Sequence, residues 1–198
     1  MALVQAEVDI SNMSLGRIGG KSFTLAVQTS TEGVQANLWY THCRDSLLRS
    51  YDWPFSKARA TLELHPDAPT FEWDHAYQLP DDYLRMRSNY SIDDTNDVDD
   101  RYVIEGDLLL TNEDEAQIRY VRKVTDPAEF DPLFKEILIL TLALKLLFPI
   151  AGTSAITMQM HIQLNQELAI LTGKARTIAF QESNVTGRND HKQARLTD

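Results

Sequence analysis

Apolar side chains recur every three or four positions at both ends of the chain and every second position in its middle. The sequence therefore predicts helix, then sheet, then helix. A first helix is predicted from "TSTE", where Thr29 and Glu32 match a capping box. Pro54 ends it, because a residue before proline disfavours the helical conformation. The first 28 or so residues, which include "GRIGGKS", are predicted to be irregular or partly extended. The predicted buried stripe of the helix is Ala36, Tyr40, Cys43, Leu47 and Tyr51.

From residue 56 to residue 124 the period changes to two, which predicts short strands. In "ARATLELH" and "QIRYVRKV" apolar and polar residues alternate, as they do in strands with one buried face. "YVIEGDLLL" predicts a hairpin that turns at Glu105-Gly106-Asp107. Several such strands separated by turns indicate an antiparallel β-module, a small sandwich or barrel.

Helices resume after residue 124. Both Asp-Pro pairs in "VTDPAEFDPLF" are typical helix starts, with Asp as the cap and Pro at the first helical position. One helix is then predicted to end at Phe148-Pro149, and another runs from about Ser154 to Phe180. The predicted buried stripe of this last helix is Ile156, Met160, Leu164, Leu168, Leu171, Ala175 and Ile178.

The most apolar stretch of the chain is "PLFKEILILTLALKLLFPIAG", residues 132–152. Its uncharged run, Ile137 to Leu144, has eight residues, whereas a membrane-spanning helix needs about 20. We therefore expect no membrane span. A helix that is apolar nearly all round must be buried on nearly all sides, so we expect neighbouring subunits to supply part of its cover. Its predicted bundle or ring interface is Leu138, Leu142 and Leu146.

These patterns predict an α+β fold. A bundle of about three long helices, one N-terminal and two C-terminal, carries the inserted antiparallel β-module. The predicted parts are an arm and first helix (1–55), the β-module (56–124), a helix pair (125–182) and a flexible, extended C-terminal tail (183–198). Aromatic residues crowd the seam between the first helix and the module, and they predict a hydrophobic hinge core. The residues of this predicted hinge core are Tyr51, Trp53, Phe55 and Tyr77.

The composition is that of a soluble globular protein: of 198 residues, 43% are hydrophobic and 24% are charged. The formal net charge is −10, and DNA affinity comes mostly from basic side chains. Such a chain should not grip DNA, although it could surround DNA without adhering to it. The start "MALVQAEVDIS" lacks the features of a secretory signal peptide, and the single Cys43 rules out an internal disulfide. We expect synthesis in a reducing cytoplasm.

Motifs for catalysis, metals and cofactors are weak in this sequence. "GRIGGKS" ends like a phosphate-binding loop, but Leu15 stands where that motif needs its first glycine. "DDTNDVDD" departs from a calcium loop at Val98 and Asp99, so a solvated acidic loop is the better interpretation. His42 and Cys43 are adjacent and point in different directions, while His65 and His75 lack partners at metal-ligand spacing. We expect no catalytic, cofactor or metal site. The acidic loop comprises Asp93, Asp94, Asp97, Asp99 and Asp100.

Three phrases in order resemble the tail tubular protein A family, the head-to-tail adaptors of short-tailed bacteriophages. They are "CRDSLLRSYDWPFSKARATLEL", "YQLPDDYLRMR" and "VTDPAEFDPLFKEILILTLALKL", and the opening "NMSLGRIGGKSF" is also similar to that family. Ser56 and Tyr83 depart from the pattern, where alanine and cysteine are frequent. The resemblance spans most of residues 11 to 180, and it does not cover the acidic loop or the tail.

The resemblance implies a structural virion protein that is not an enzyme. Twelve copies would form a ring, made and assembled in the cytoplasm of the bacterial host, that joins the portal to a tail nozzle similar to tail tubular protein B, with tail fibres as a further partner. Double-stranded DNA would pass through the ring without specific binding. The tail residues Arg188, Lys192 and Arg195 would dock on the portal, and the acidic loop would face the channel or the nozzle. The alternatives are a tail-associated cell-wall glycan hydrolase with an Asp/Glu pair and a generic interaction domain.

Overall fold

The computed structural model describes residues 2–25, 28–89 and 102–184. It divides into a helical unit, Met1–Phe55 with Thr125–Asp198, and a β unit, Ser56–Val124. The described residues form four α-helices and two antiparallel sheets, which confirms the predicted α+β class. The predicted acidic loop (Asp93, Asp94, Asp97, Asp99 and Asp100) and the docking residues of the tail (Arg188, Lys192 and Arg195) lie outside the described residues.

The helical unit contains one helix more than the periodicity predicts. The helices are α1 (Gln5–Arg17), α2 (Thr31–Ser50), α3 (Pro132–Ala151) and α4 (Ala155–Asn184). The prediction of an irregular N-terminal segment is therefore wrong for α1. Its buried face alternates Val8 and Leu15 with Ser11 and Ser14, so the apolar stripe is broken. Both serine hydroxyls bond back to the helix, to the carbonyls of Glu7 and Ile10, and this makes serine acceptable inside the helix.

The start of α2 differs by one residue from the prediction. Ser30, and not Thr29, is the N-cap, and its hydroxyl accepts a hydrogen bond from the Gly33 amide at 3.1 Å. Gly33 lies so close to the preceding chain that a Cβ there would be 2.7 Å from the Gln28 carbonyl oxygen. The buried stripe also shifts at its end, because Leu48 is fully buried whereas the predicted Leu47 is half-buried.

Helix α3 is the central element of the helical unit and packs against α1, α2 and α4. As predicted, Asp131 caps its start: the carboxylate accepts hydrogen bonds from Leu133 at 2.8 Å and from Phe134 at 3.3 Å. The helix continues three residues past the predicted end at Phe148, because Pro149 lies in the last turn and Gly152, with φ of 69°, ends it. Within the described residues no helix has both the length and the apolar composition that a bilayer crossing requires.

The β unit contains two antiparallel sheets that share one core. Its strands are β1 (Lys57–Thr61), β2 (Glu63–Leu64), β3 (His75–Gln78), β4 (Tyr83–Asn89), β5 (Val103–Glu105), β6 (Leu108–Thr111) and β7 (Gln117–Arg122). One sheet has the order β1-β7-β4 and the other β2-β3-β6-β5. The predicted hairpin is confirmed: Glu105 pairs with Leu108 around Gly106, whose φ of 63° suits glycine. The core contains Leu62, Tyr77, Leu109, Ile118 and Tyr120.

Candidate interaction surfaces

An aromatic cluster joins three helices of the helical unit. The rings of Trp53 and Phe55 lie 5.1 and 5.0 Å from the Phe134 ring on α3, both in edge-to-face geometry. Tyr51 stacks edge-on against Trp53 at 5.5 Å, and its hydroxyl donates to the Arg176 carbonyl on α4 at 3.1 Å. Three of the four predicted hinge-core residues therefore hold the end of α2 against α3 and α4.

Tyr77, the fourth predicted hinge residue, belongs to the core of the β unit. Its side chain is buried, and its hydroxyl donates to the Glu113 carbonyl at 2.9 Å. Burial raises the pKa of Tyr77, and the acidic groups of Asp114, Glu115 and Glu113 raise it further. The phenol is therefore neutral and anchors the β6–β7 connection.

The three leucines of the predicted bundle or ring interface lie inside one subunit. Leu138, Leu142 and Leu146 are all fully buried, and α1, α2 and α4 of the same chain pack around their helix. The three leucines therefore form an interface of the bundle within one chain, and the expected cover from a neighbouring subunit does not apply to them. The missing cover comes from α1, a helix that the sequence pattern did not predict.

The apolar surface left uncovered lies on α4. Among its neighbours in the helical unit α4 packs chiefly on α3, so one side of a helix of 30 residues is buried. Thr157, Leu164, Ala175 and Ala179 form that buried side. Two residues of the predicted stripe are exposed instead, Ile156 and Ile178. The exposed apolar side chains of α4, which we call the α4 surface, are Ile156, Met158, Ile162, Ile170, Ile178 and Phe180.

A groove of about 590 Å³ lies beside the α4 surface, between α1, α3 and α4. Met13, Ile139 and Ile170 supply apolar side chains to it, and Ile170 is 71% exposed. An ion pair between Arg17 and Glu167 crosses one side of the groove. The groove surface is mostly apolar, and three further polar side chains line it, so it is suited to an amphipathic segment of another protein. The sequence pattern does not reveal this surface, although α4 has more isoleucine and methionine than one buried stripe can hold.

A buried polar cluster connects α1 to α2. The Arg44 side chain is 5% exposed; its guanidinium lies 2.8 Å from the Asp45 carboxylate and 3.5 Å from the Glu7 carboxylate. Beside it the Tyr40 hydroxyl is fully buried, and it has no hydrogen-bond partner among the described residues. Burial and then the negative charge of Glu7 raise the pKa of Tyr40. The cluster is compact and mostly buried, which is consistent with a structural role.

The phosphate-loop fragment "GRIGGKS" is the end of a helix. Helix α1 stops at Arg17, Gly19 has φ of 71°, and the Gly20 amide donates to the Leu15 carbonyl at 2.9 Å. A phosphate loop needs the amides of a helix start, whereas this turn follows a helix end with its carbonyl groups. Across the described residues no cluster of three or more His, Cys, Asp or Glu side chains could hold a metal ion.

Cys43 is predicted to be unreactive in the native protein. Burial raises the pKa of its thiol to about 11, although the Lys145 charge acts in the opposite direction. At pH 8 the thiolate fraction is then about a hundredfold smaller than that of an ordinary thiol. Ellman's reagent should label native protein at least about 100 times more slowly than protein in guanidinium chloride. Rapid, complete labelling of the native protein would contradict the burial of this helix face.

No family model matches the chain, and no curated protein sequence matches it.

Proposed function

We propose that this protein is a structural adaptor of a short-tailed bacteriophage, in which a dodecameric ring joins the portal to the tail nozzle. The α4 surface is the observation that carries the proposal. Ile156, Ile170 and Phe180 are 76%, 71% and 65% exposed, and several large exposed apolar side chains beside a mostly apolar groove suit a contact between proteins. In a ring, the neighbouring copy covers this surface and the groove beside it.

The ordered resemblance to head-to-tail adaptors supplies the kind of assembly. Its three phrases coincide with the framework of both units: the end of α2 with β1, the segment from β3 to β4, and the approach to α3 with most of that helix. A head-to-tail ring repeats one contact between two different surfaces. This contact needs a surface that a single chain leaves uncovered, and the α4 surface meets that need.

The acidic composition is consistent with a DNA channel. With a net charge of −10, the chain repels phosphates over a Debye length of about 8 Å at physiological salt. DNA would then slide through the ring during packaging and ejection. We retain the proposals that the loop 93–100 faces the channel or the nozzle and that Arg188, Lys192 and Arg195 dock on the portal.

The variant Ile162→Asp/Ile170→Asp is expected to fold normally and to fail in ring assembly. Both side chains are exposed, so the change costs little stability, but two carboxylates would have to be buried against the neighbouring copy. The measurement is co-sedimentation with purified portal rings, followed by electron microscopy of the pellet. Wild-type protein should form a ring on the portal, and the variant should remain in the supernatant.

Ala6→Asp/Thr31→Asp is a matched control for that experiment. It adds the same two charges at exposed positions in the first turns of α1 and α2, where the helix dipole favours them. The control should assemble like wild type. Rings formed by the α4 variant would exclude the α4 surface from the contact, and absence of wild-type protein from the portal pellet would refute the adaptor function.

A further inference from the structure

The charges of the β unit are divided between its two sheets by sign. Residues 56–124 include sixteen Asp or Glu and eight Lys or Arg, a net charge of −8 out of the chain's −10. Strands β1, β4 and β7 contain six basic residues and no acidic one. Residues 62–84 and 102–118, which include all four strands of the other sheet, contain eleven acidic residues and no Lys or Arg. Protein surfaces ordinarily mix both signs, so the separation requires a physical reason.

The three-stranded sheet has a basic outer face. Strand alternation directs Arg59 and Arg119 away from the core, because their neighbours Ala60 and Ile118 pack into it. Arg59 and Arg119 are directly paired across β1 and β7, and like charges in that position repel each other. Exposed Arg87 lies on the adjacent strand β4. A groove of about 350 Å³ runs past the Arg59–Arg119 pair. We call Arg59, Arg87 and Arg119 the basic face.

The four-stranded sheet has an acidic outer face. Glu63, Gln78, Leu108 and Glu105 form one row across its four strands. Their neighbours Tyr77 and Leu109 pack into the core, so this row points outward. The glutamates at both ends of the row are exposed. The loop from His65 to Asp74 adds three exposed carboxylates and the side chain of Phe71, which is 78% exposed. We call Glu63, Asp67, Glu72, Asp74 and Glu105 the acidic face.

We propose that the acidic face of one copy docks on the basic face of the next copy. The two outer faces belong to sheets that share one core and therefore point away from each other. A contact between unlike faces then repeats from copy to copy in one direction, as in a head-to-tail ring. The inference rests on the proposed ring and adds to it a second contact, through the β unit. Its main effect is on the orientation and rate of association.

Protection of the sheet edges does not explain the charge pattern. Single charges on edge strands prevent sheets from joining edge to edge, and either sign serves that purpose. The observed faces separate the signs by sheet, and Arg119 lies on β7, the central strand of its sheet. Complementarity between two copies accounts for both features.

A pair of charge-reversal variants tests the contact. The first variant is Arg59→Glu/Arg87→Glu and the second is Glu63→Lys/Glu72→Lys/Glu105→Lys; all five side chains are exposed. Each variant alone has two faces of the same sign and should lose assembly on the portal. An equimolar mixture should recover it, because the variants can alternate around the ring with every contact matched. For wild type, the midpoint concentration for assembly should rise about tenfold from about 50 to about 500 mM NaCl.

The control is Lys21→Glu, an exposed basic residue of the helical unit, which should assemble like wild type. The docking proposal is overturned if either variant assembles alone. It is also overturned if the mixture fails to assemble although circular dichroism shows that both variants are folded. A third contrary result is duplex DNA that binds to wild type and not to the first variant. Replacement of the five loop aspartates by asparagine should leave assembly intact, and loss of assembly there would identify that loop as the occupant of the basic face. If wild-type protein forms a ring on the portal, any of these results contradicts only the docking contact and not the adaptor function. If wild-type protein forms no ring on the portal, the adaptor function itself is refuted.

Discussion

The substitution Leu142→Asp is expected to unfold the helical unit. Leu142 is completely buried at the centre of α3, the helix that contacts the other three helices of its unit. A carboxylate there has no partner and no water. Burying it, or protonating it to avoid the charge, costs at least about 4 kcal/mol in addition to the lost leucine packing. Total stabilities of about 5–15 kcal/mol leave little or nothing to spare.

Circular dichroism and urea unfolding measure this effect. The variant should lose most of its helical signal at 25 °C or unfold at a much lower urea concentration than wild type. Ile156→Asp is the matched control, because it places the same charge on a large aliphatic residue that is 76% exposed. The control should unfold within about 0.5 kcal/mol of wild type. A Leu142→Asp protein with wild-type stability and a normal ring would refute the burial of α3.

Sequence patterns were sufficient to predict an element where one local interaction decides its structure. Asp131 caps α3 through two amides within three residues of it, so the signal lies in adjacent positions. The Glu105–Leu108 hairpin is likewise fixed by the conformational freedom of Gly106. The apolar α3 stretch correctly indicated burial and excluded a bilayer crossing, because its uncharged run is too short.

The pattern failed where the buried face of a helix is polar. Ser11 and Ser14 occupy the inner side of α1, so hydrophobic periodicity could not reveal that helix. Without α1, the sequence pattern assigns part of the cover of α3 to neighbouring subunits. One missing helix therefore leaves Leu142 at a bundle or ring interface in the prediction, whereas the structure buries it within the bundle. The polar atoms that caused the error satisfy their hydrogen bonds within α1 itself.

The interaction surfaces required the three-dimensional packing. Isoleucines lie on several sides of α4, and only its contact with α3 shows that Leu164 is inside and Ile170 outside. In the β unit, strand register decides which charges share a face: Arg59 and Arg119 are 60 positions apart in the sequence and directly opposite in the sheet. Neither relation can be derived from spacing alone.

Arg44→Ala is expected to destabilise the protein by about 3 kcal/mol. Removal of the guanidinium leaves the Glu7 carboxylate without its cationic partner. The Glu7 side chain is only 12% exposed. Breaking a buried ion pair at one end costs about 3–5 kcal/mol. We expect the lower end of this range because the Asp45 side chain is 24% exposed, so water can hydrate its carboxylate after the guanidinium is removed. The buried Tyr40 hydroxyl cannot replace the lost charge.

The double variant Glu7→Gln/Arg44→Met separates the charge from its packing. It removes both charges and retains two long side chains, and the introduced amide oxygen can still accept the hydrogen bond that Glu7 receives from the Val4 amide at 3.0 Å. Replacement of a buried ion pair by neutral groups of similar size is often nearly neutral. We therefore expect the double variant to be more stable than Arg44→Ala by about 2 kcal/mol in urea unfolding. Equal loss in both variants would assign the cost to packing, and no loss in Arg44→Ala would show that the α1–α2 cluster contributes nothing to stability.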